Sequence, residues 1–271
     1  MFRACNVARL CDVQFATVRV LVARDTNFIS SNSVHAVAAD MRAYWDERAK
    51  ENAVYYVDTS VSYDDPDMAR FMQTGNTVVR QALLDAPVQP NGRELAVEIG
   101  CGVGRICKAL SGHFVNVVGV DISESMVAQA RQLVTEPNVR FEVVSGADLA
   151  PVNDDSADLV TTFTVFQHMP KAALIESYVT EASRVLRSGG VLAAQWNNLP
   201  HPLAWKLRGV WWRLRDRLGG PLKLDPRVAP EFVGMRLPTK DMTAMLTRAG
   251  FTVKGTSDLA TLFAWVWATK D

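Results

Sequence analysis

Glu98 ends an apolar run, and Gly100, Gly102 and Gly104 follow it at alternate positions. A second acid, Asp121, closes another apolar run 23 residues later, and His168 follows a third. Glycines without side chains let a ligand come close to the backbone of a strand-to-helix turn. A dinucleotide site would put pyrophosphate on that turn and needs G-x-G-x-x-G, with the last glycine where helix meets strand. Counted from Gly100 that glycine falls on Arg105, and from Gly102 on Cys107. Neither is glycine. An acid at position 98 opposes a pyrophosphate and suits a cationic ligand. An acid about 20 residues further on is placed to accept hydrogen bonds from a ribose.

A ligand with a sulfonium, an ammonium, a ribose and no phosphate meets those terms, and S-adenosylmethionine is such a ligand. His168, with an ordinary pKa near 6.5, is the candidate general base, and a loop-positioning role is its alternative. His201 is a second, weaker candidate.

The elements that must hold these residues alternate along the chain. "ELAVEIG" reads as a strand, "RICKALSGHF" as a helix, "VNVVGVD" as a strand and "SESMVAQARQLV" as a helix capped by Ser123. "NVRFEVVSGAD" and "DLVTTFTVFQHM" give the third and fourth strands. The helix "KAALIESYVTEASRVL", closed by Gly189 and Gly190, leads to the fifth strand, "VLAAQWN". Strands that are apolar throughout and alternate with helices predict a parallel sheet covered on both faces. Further on, Thr239 is placed to cap a helix that stops at Gly250, before two closing strands.

These segments resemble the class I S-adenosylmethionine-dependent methyltransferases. "VEIGCGVGR" resembles their first motif and "VGVDIS" the acidic end of the second strand. "GADLAPVNDDSADLV", "FQHMP" and "EASRVLRSGGVL" follow in family order, over about residues 93–197. "YWDERAKENAVYYVDT" and "FQHMP" are similar to an actinobacterial small-molecule-type subgroup. The resemblance implies an α/β fold, a Rossmann-like doubly wound sheet of seven mostly parallel strands with the last antiparallel. It implies that Glu98, Gly100, Cys101 and Gly102 hold the methionyl end of the cofactor. Asp121 would hold the ribose, with Ile122 and Met126 beside the adenine. Asp148 would read the adenine amino group between Ala147 and Leu149, and Thr164, Phe166 and Gln167 would lie near the transferred methyl. Core packing is the competing reading for Met126 and Phe166, and a solvated loop acid for Asp121 and Asp148. For both acids the ligand reading is preferred, because each falls at the carboxyl end of a predicted parallel strand.

The expected function is methyl transfer from S-adenosylmethionine to an oxygen or nitrogen of a small-molecule acceptor. The alternatives are a protein that binds the cofactor without turnover and a nicotinamide-dependent oxidoreductase. Twenty-nine basic and 29 acidic side chains cancel, which argues against a nucleic acid as the main partner. "FQHM" also lacks the Asn/Asp-Pro-Pro-aromatic motif of exocyclic-amine methylation. Acids are missing from "TTFTVFQHM", so a catalytic metal is not expected.

Cys5, Cys11, Cys101 and Cys107 form no C-x-x-C pair, which fits reduced thiols in a cytoplasmic protein. Residues 1–40 read as a poorly structured extension to a methyltransferase domain spanning 41–271. Within that domain we expect a helical cap over 41–92, a cofactor-binding core over 93–197, a lid over 198–238, and a closing helix and strands over 239–271. Apolar residues at helical spacing among arginines and tryptophans give 201–218 three readings, a lid over the substrate, contact with a membrane surface, or an apolar face packed on the sheet, of which lid plus packing is preferred.

Overall fold

The computed structural model describes residues 34–199, 229–257 and 259–271. Among these, one seven-stranded sheet runs in the order β3-β2-β1-β4-β5-β7-β6. The strands are β1 Leu95–Ile99, β2 Asn116–Asp121, β3 Val139–Val143, β4 Ala157–Thr162, β5 Leu186–Trp196, β6 Phe251–Ser257 and β7 Ala264–Lys270. Strands β1 to β5 pair in parallel, and β7 lies antiparallel between β5 and β6. The Rossmann-like sheet expected from the sequence is the one observed.

Alternation along the strands sorts the core into two layers. Val97 and Ile99, with Val118 and Val120, join one buried cluster, whereas the adjoining Ala96 and Val117 join the other. Helix α1 (Val34–Val57) and α5 (Ala172–Val185) contribute to the first layer, as does α7 (Thr239–Arg248). Helix α2 (Met68–Val79), α3 (Arg105–Leu110) and α4 (Glu124–Leu133) feed the second. Gly75 lets α2 meet α3: a Cβ there would stand 2.2 Å from the Arg105 carbonyl oxygen.

Helix α1 begins at Val34, before the expected boundary at Met41, and its Val37 and Ala38 pack into the core. The fourth strand stops at Thr162, since Thr164 turns into the left-handed region at φ 58°. Helix α5 ends at Val185, short of the glycines expected to close it. Thr239 does not cap α7: it is that helix's first residue, and its hydroxyl accepts the Asn198 side-chain amide at 2.9 Å. Ser123 does cap α4, accepting the Met126 amide at 3.1 Å. Most of the expected lid, including 201–218 and His201, lies outside the described residues, as do residues 1–33. Of 198–238, a short helix α6 (Pro230–Val233) is described.

Candidate active site

Strand order reverses between β1 and β4, and in such sheets ligands bind at the carboxyl ends on either side of that point. A cleft of about 910 Å³, mouth included, opens there.

The turn after β1 forms one wall. Gly100 sits at φ 70°, and a Cβ on it would come within 2.2 Å of Val165 Cγ2. Four of the turn's amides bond within the protein. Gly100 and Cys101 both donate to the Val120 carbonyl, at 2.7 and 3.0 Å, and Gly104 donates to Cys101 at 2.9 Å. Gly102 donates to Asp121 Oδ2 at 2.9 Å. A phosphate-binding turn would aim such donors at its ligand.

Asp121 ends β2 inside the cleft, its other oxygen accepting the Ser123 amide at 2.9 Å. A carboxylate oxygen accepts two hydrogen bonds, so each retains a site for a ligand hydroxyl. Burial raises the Asp121 carboxyl above its ordinary range, against the pull of those amides. Glu98 is 2% exposed and accepts the Cys107 thiol at 2.9 Å. Burial pushes its carboxyl up to about 8, with Cys107 and Arg105 opposing the shift. Glu98 is therefore a neutral acid at pH 7, ready to ionise beside an incoming cation.

Arg105 is the cation among the described residues lining the cleft. It is buried beside Asp58 at 3.6 Å, bonds the Thr74 hydroxyl, and lies 5.5 Å from the Phe71 ring centroid. One engaged cation against two acids is a poor match for a pyrophosphate. The same set fits a ligand that carries positive charge and a vicinal diol.

The opposite wall is held by a directional chain of hydrogen bonds. The Thr164 amide donates to Gln195 Oε1 at 2.7 Å, and Gln195 Nε2 donates to Gln167 Oε1 at 3.2 Å. Gln167 Nε2 donates in turn to His168 Nε2 at 3.2 Å. His168 Nδ1 faces the Phe232 carbonyl oxygen, which can only accept. A fixed donor at one end and a fixed acceptor at the other set both amide orientations and put the His168 proton on Nδ1. Burial lowers the His168 pKa to about 4, the Phe232 bond resisting. The ring also packs edge-on to Trp45, with centroids 5.2 Å apart. Gln195 thus pins Thr164, whose left-handed backbone is rare for a β-branched residue.

Of the residues expected at the site, Glu98, Gly100, Cys101, Gly102, Asp121, Ile122, Met126, Thr164 and His168 line this one cleft. Ala147, Asp148, Leu149, Phe166 and Gln167 are not among its lining residues. Asp148 accepts the Ser145 hydroxyl and, at 3.1 Å, the Ala150 amide. The Ala147 carbonyl takes the Ser177 hydroxyl at 2.5 Å, and the Leu149 amide bonds Glu181 at 2.8 Å. Phe166 is 1% exposed in the core, and Gln167 stands behind His168. Sequence reasoning missed Arg105, Tyr178 and Gln195. Arg105 carried a usable signal, a cation directly after the glycine turn. Gln195 lay inside an apolar strand, where a buried amide marks a partner not visible from the sequence.

A cleft at the switch point, a glycine turn with its amides turned inward and an acid on β2 together define a Rossmann-like methyltransferase fold. Residues 97–194 match the family model described as a methyltransferase domain. Over those residues the chain is similar to that family. It is 25% identical over 149 residues to a ubiquinone biosynthesis O-methyltransferase of Hydrogenovibrio crunogenus, covering 54% of this chain and 52% of that protein. It is 33% identical over 132 residues to a trans-aconitate 2-methyltransferase of Variovorax paradoxus, covering 48% of each. The chain thus spans about half the length of these curated relatives. Among solved structures, the fold is similar to magnesium protoporphyrin IX methyltransferase from Synechocystis, crystallised with S-adenosylhomocysteine. The TM-score is 0.54 at 18% identity, covering 86% of this chain and 99% of that one. Among the described residues, no helix is long and apolar enough to cross a membrane.

Proposed function

We propose that the protein transfers a methyl group from S-adenosylmethionine to an oxygen or nitrogen of a small-molecule acceptor. The observation that carries this reading is the turn after β1, whose amides bond Val120, Cys101 and Asp121 rather than facing a phosphate. Asp121 is the residue assigned to the ribose hydroxyls, and Glu98 to the methionyl ammonium. Gly100 and Gly102 leave room for backbone contact between them, and Ile122 and Met126 flank the base. One relative is named for ubiquinone biosynthesis and the other for trans-aconitate, both small molecules, which supports a small acceptor here.

When bound, the cofactor supplies an electrophilic methyl on a sulfonium. Transfer is an in-line displacement at carbon, for which a protein chiefly aligns the partners and excludes water. Thr164, held in its strained backbone by Gln195, and the rings of Trp45 and Phe163 are assigned to the wall against which the acceptor lies. His168 offers a neutral ring whose Nε2 lone pair is already taken by Gln167. It is assigned as a positioning residue that ties the segment after β4 to Phe232.

Incubation with methyl-tritiated S-adenosylmethionine and a fractionated cell extract tests the proposal. Label in the low-molecular-weight fraction is expected. Label only in nucleic acid or protein, or none with the full panel of fractions, would refute it.

A further inference from the structure

Residues 259–263, between β6 and β7, read Leu-Ala-Thr-Leu-Phe and carry no charge. Leu259, Leu262 and Phe263 are 46%, 41% and 47% exposed. Leu199, just past β5, is exposed too, and the Asn198 amide before it donates to the Thr261 carbonyl at 3.0 Å. Half of the exposed large apolar side chains among the described residues therefore sit on these two paired segments. Single exposed apolar residues are ordinary on a protein surface, whereas a cluster of them marks a place that something covers.

Two contacts tie this turn to the cleft. The Leu262 carbonyl accepts a hydrogen bond from Gln195 Nε2, and the oxygen of the same amide group holds the Thr164 backbone. The Phe263 ring stacks on Phe163, with centroids 6.2 Å apart and planes within 20°. Phe163 lines the cleft and stacks in turn on the buried Trp265, at 5.8 Å. One row of rings thus runs from the core, past the cleft wall, to the surface. A surface for a separate partner would need only the exposed side chains. Here the turn is also coupled, through Gln195 and Phe163, to the wall assigned to the acceptor.

We propose that the methyl acceptor is amphipathic: its oxygen or nitrogen nucleophile stays in the cleft, and an apolar portion passes Phe163 to lie on Phe263, Leu259 and Leu262. This rests on the methyl-transfer reading above and narrows its acceptor to a molecule with a hydrocarbon part. Continuity with the cleft wall is what assigns the turn to the acceptor.

The test incubates the protein and methyl-tritiated S-adenosylmethionine with the chloroform-soluble or the water-soluble small molecules of a cell extract. Label is expected in the chloroform-soluble fraction. In Leu259→Ser/Leu262→Ser, the amount of that fraction giving half-maximal rate should rise about tenfold, with the maximal rate unchanged. The free variant should melt with wild type, because both side chains are exposed. Label confined to the water-soluble fraction, or an unchanged half-maximal amount, would overturn the proposal. So would a lower melting temperature of the free variant, which would show that the protein itself covers the turn. Wild type that sediments with phosphatidylcholine vesicles, where the variant stays in solution, would overturn it in favour of a bilayer surface. Label in neither fraction would instead overturn the methyl-transfer reading on which it rests.

Discussion

Ionisation of Glu98 should be coupled to cofactor binding. Its carboxyl is buried, bonded to the Cys107 thiol and raised to about 8. At pH 7 such a group is about nine-tenths protonated, and at pH 6 about ninety-nine hundredths. An ammonium placed beside it selects the ionised form. Binding at pH 7 should then release about 0.9 proton from Glu98, and affinity should rise about ninefold from pH 6 to 7 and about fivefold from 7 to 8. The assay is calorimetry with S-adenosylhomocysteine at pH 7 in phosphate and in Tris. The difference in heat, divided by the difference in buffer ionisation enthalpy, gives the protons released. In Glu98→Gln the pH slope and the buffer dependence should both vanish. Equal heats in the two buffers, with equal affinity at pH 6 and 8, would refute the reasoning. The same shift has a cost in the free protein. A raised folded pKa means that the native state holds the proton between about pH 4.5 and 8, so the Glu98 contribution to stability falls as pH rises through that window.

Two further outcomes follow from the hydrogen-bond pattern. His168, lowered to about 4, should show no titration between pH 5.5 and 8 when its ring nitrogens are followed by NMR, and Nδ1 should carry the proton. Its depressed pKa makes its contribution to stability complete above about pH 6.5 and lost as pH falls toward 4; a titration near 6.5 would show that it faces solvent instead. Asp158, 1% exposed, accepts the Glu94 and Leu95 amides at 2.7 and 3.1 Å, at the end of the sheet away from the cleft. Asp158→Ala should cost about 3 kcal/mol in denaturant unfolding and leave S-adenosylhomocysteine affinity unchanged, whereas weakened binding would contradict that separation.

The sheet was legible because its signal is local. Runs such as Val117–Val120 and Val191–Ala194 are apolar on both faces, as a doubly covered parallel strand must be, and Ser123 marks a helix start by its chemistry. The turn was legible for the same reason: glycine spacing and the acid before it are constraints on a few adjacent residues. What the sequence hid depends on approach between distant residues. Tyr178 reads as one more apolar position on an amphipathic helix, and only the fold shows that it lines the cleft. Gln195, Gln167, His168 and Phe232 form one chain only because β5, the segment after β4 and helix α6 converge. Thr164 reads as strand by propensity, yet the Gln195 amide holds it in a left-handed turn. Asp148 has the expected position in the sequence, but it is not among the residues that line the cleft.

The most direct test of the account is paired calorimetry of the full chain with S-adenosylhomocysteine and with NAD. The inward-turned amides and Asp121 predict one-to-one binding of S-adenosylhomocysteine and loss of that binding in Asp121→Ala, with no heat from NAD. Binding of NAD without S-adenosylhomocysteine would contradict it.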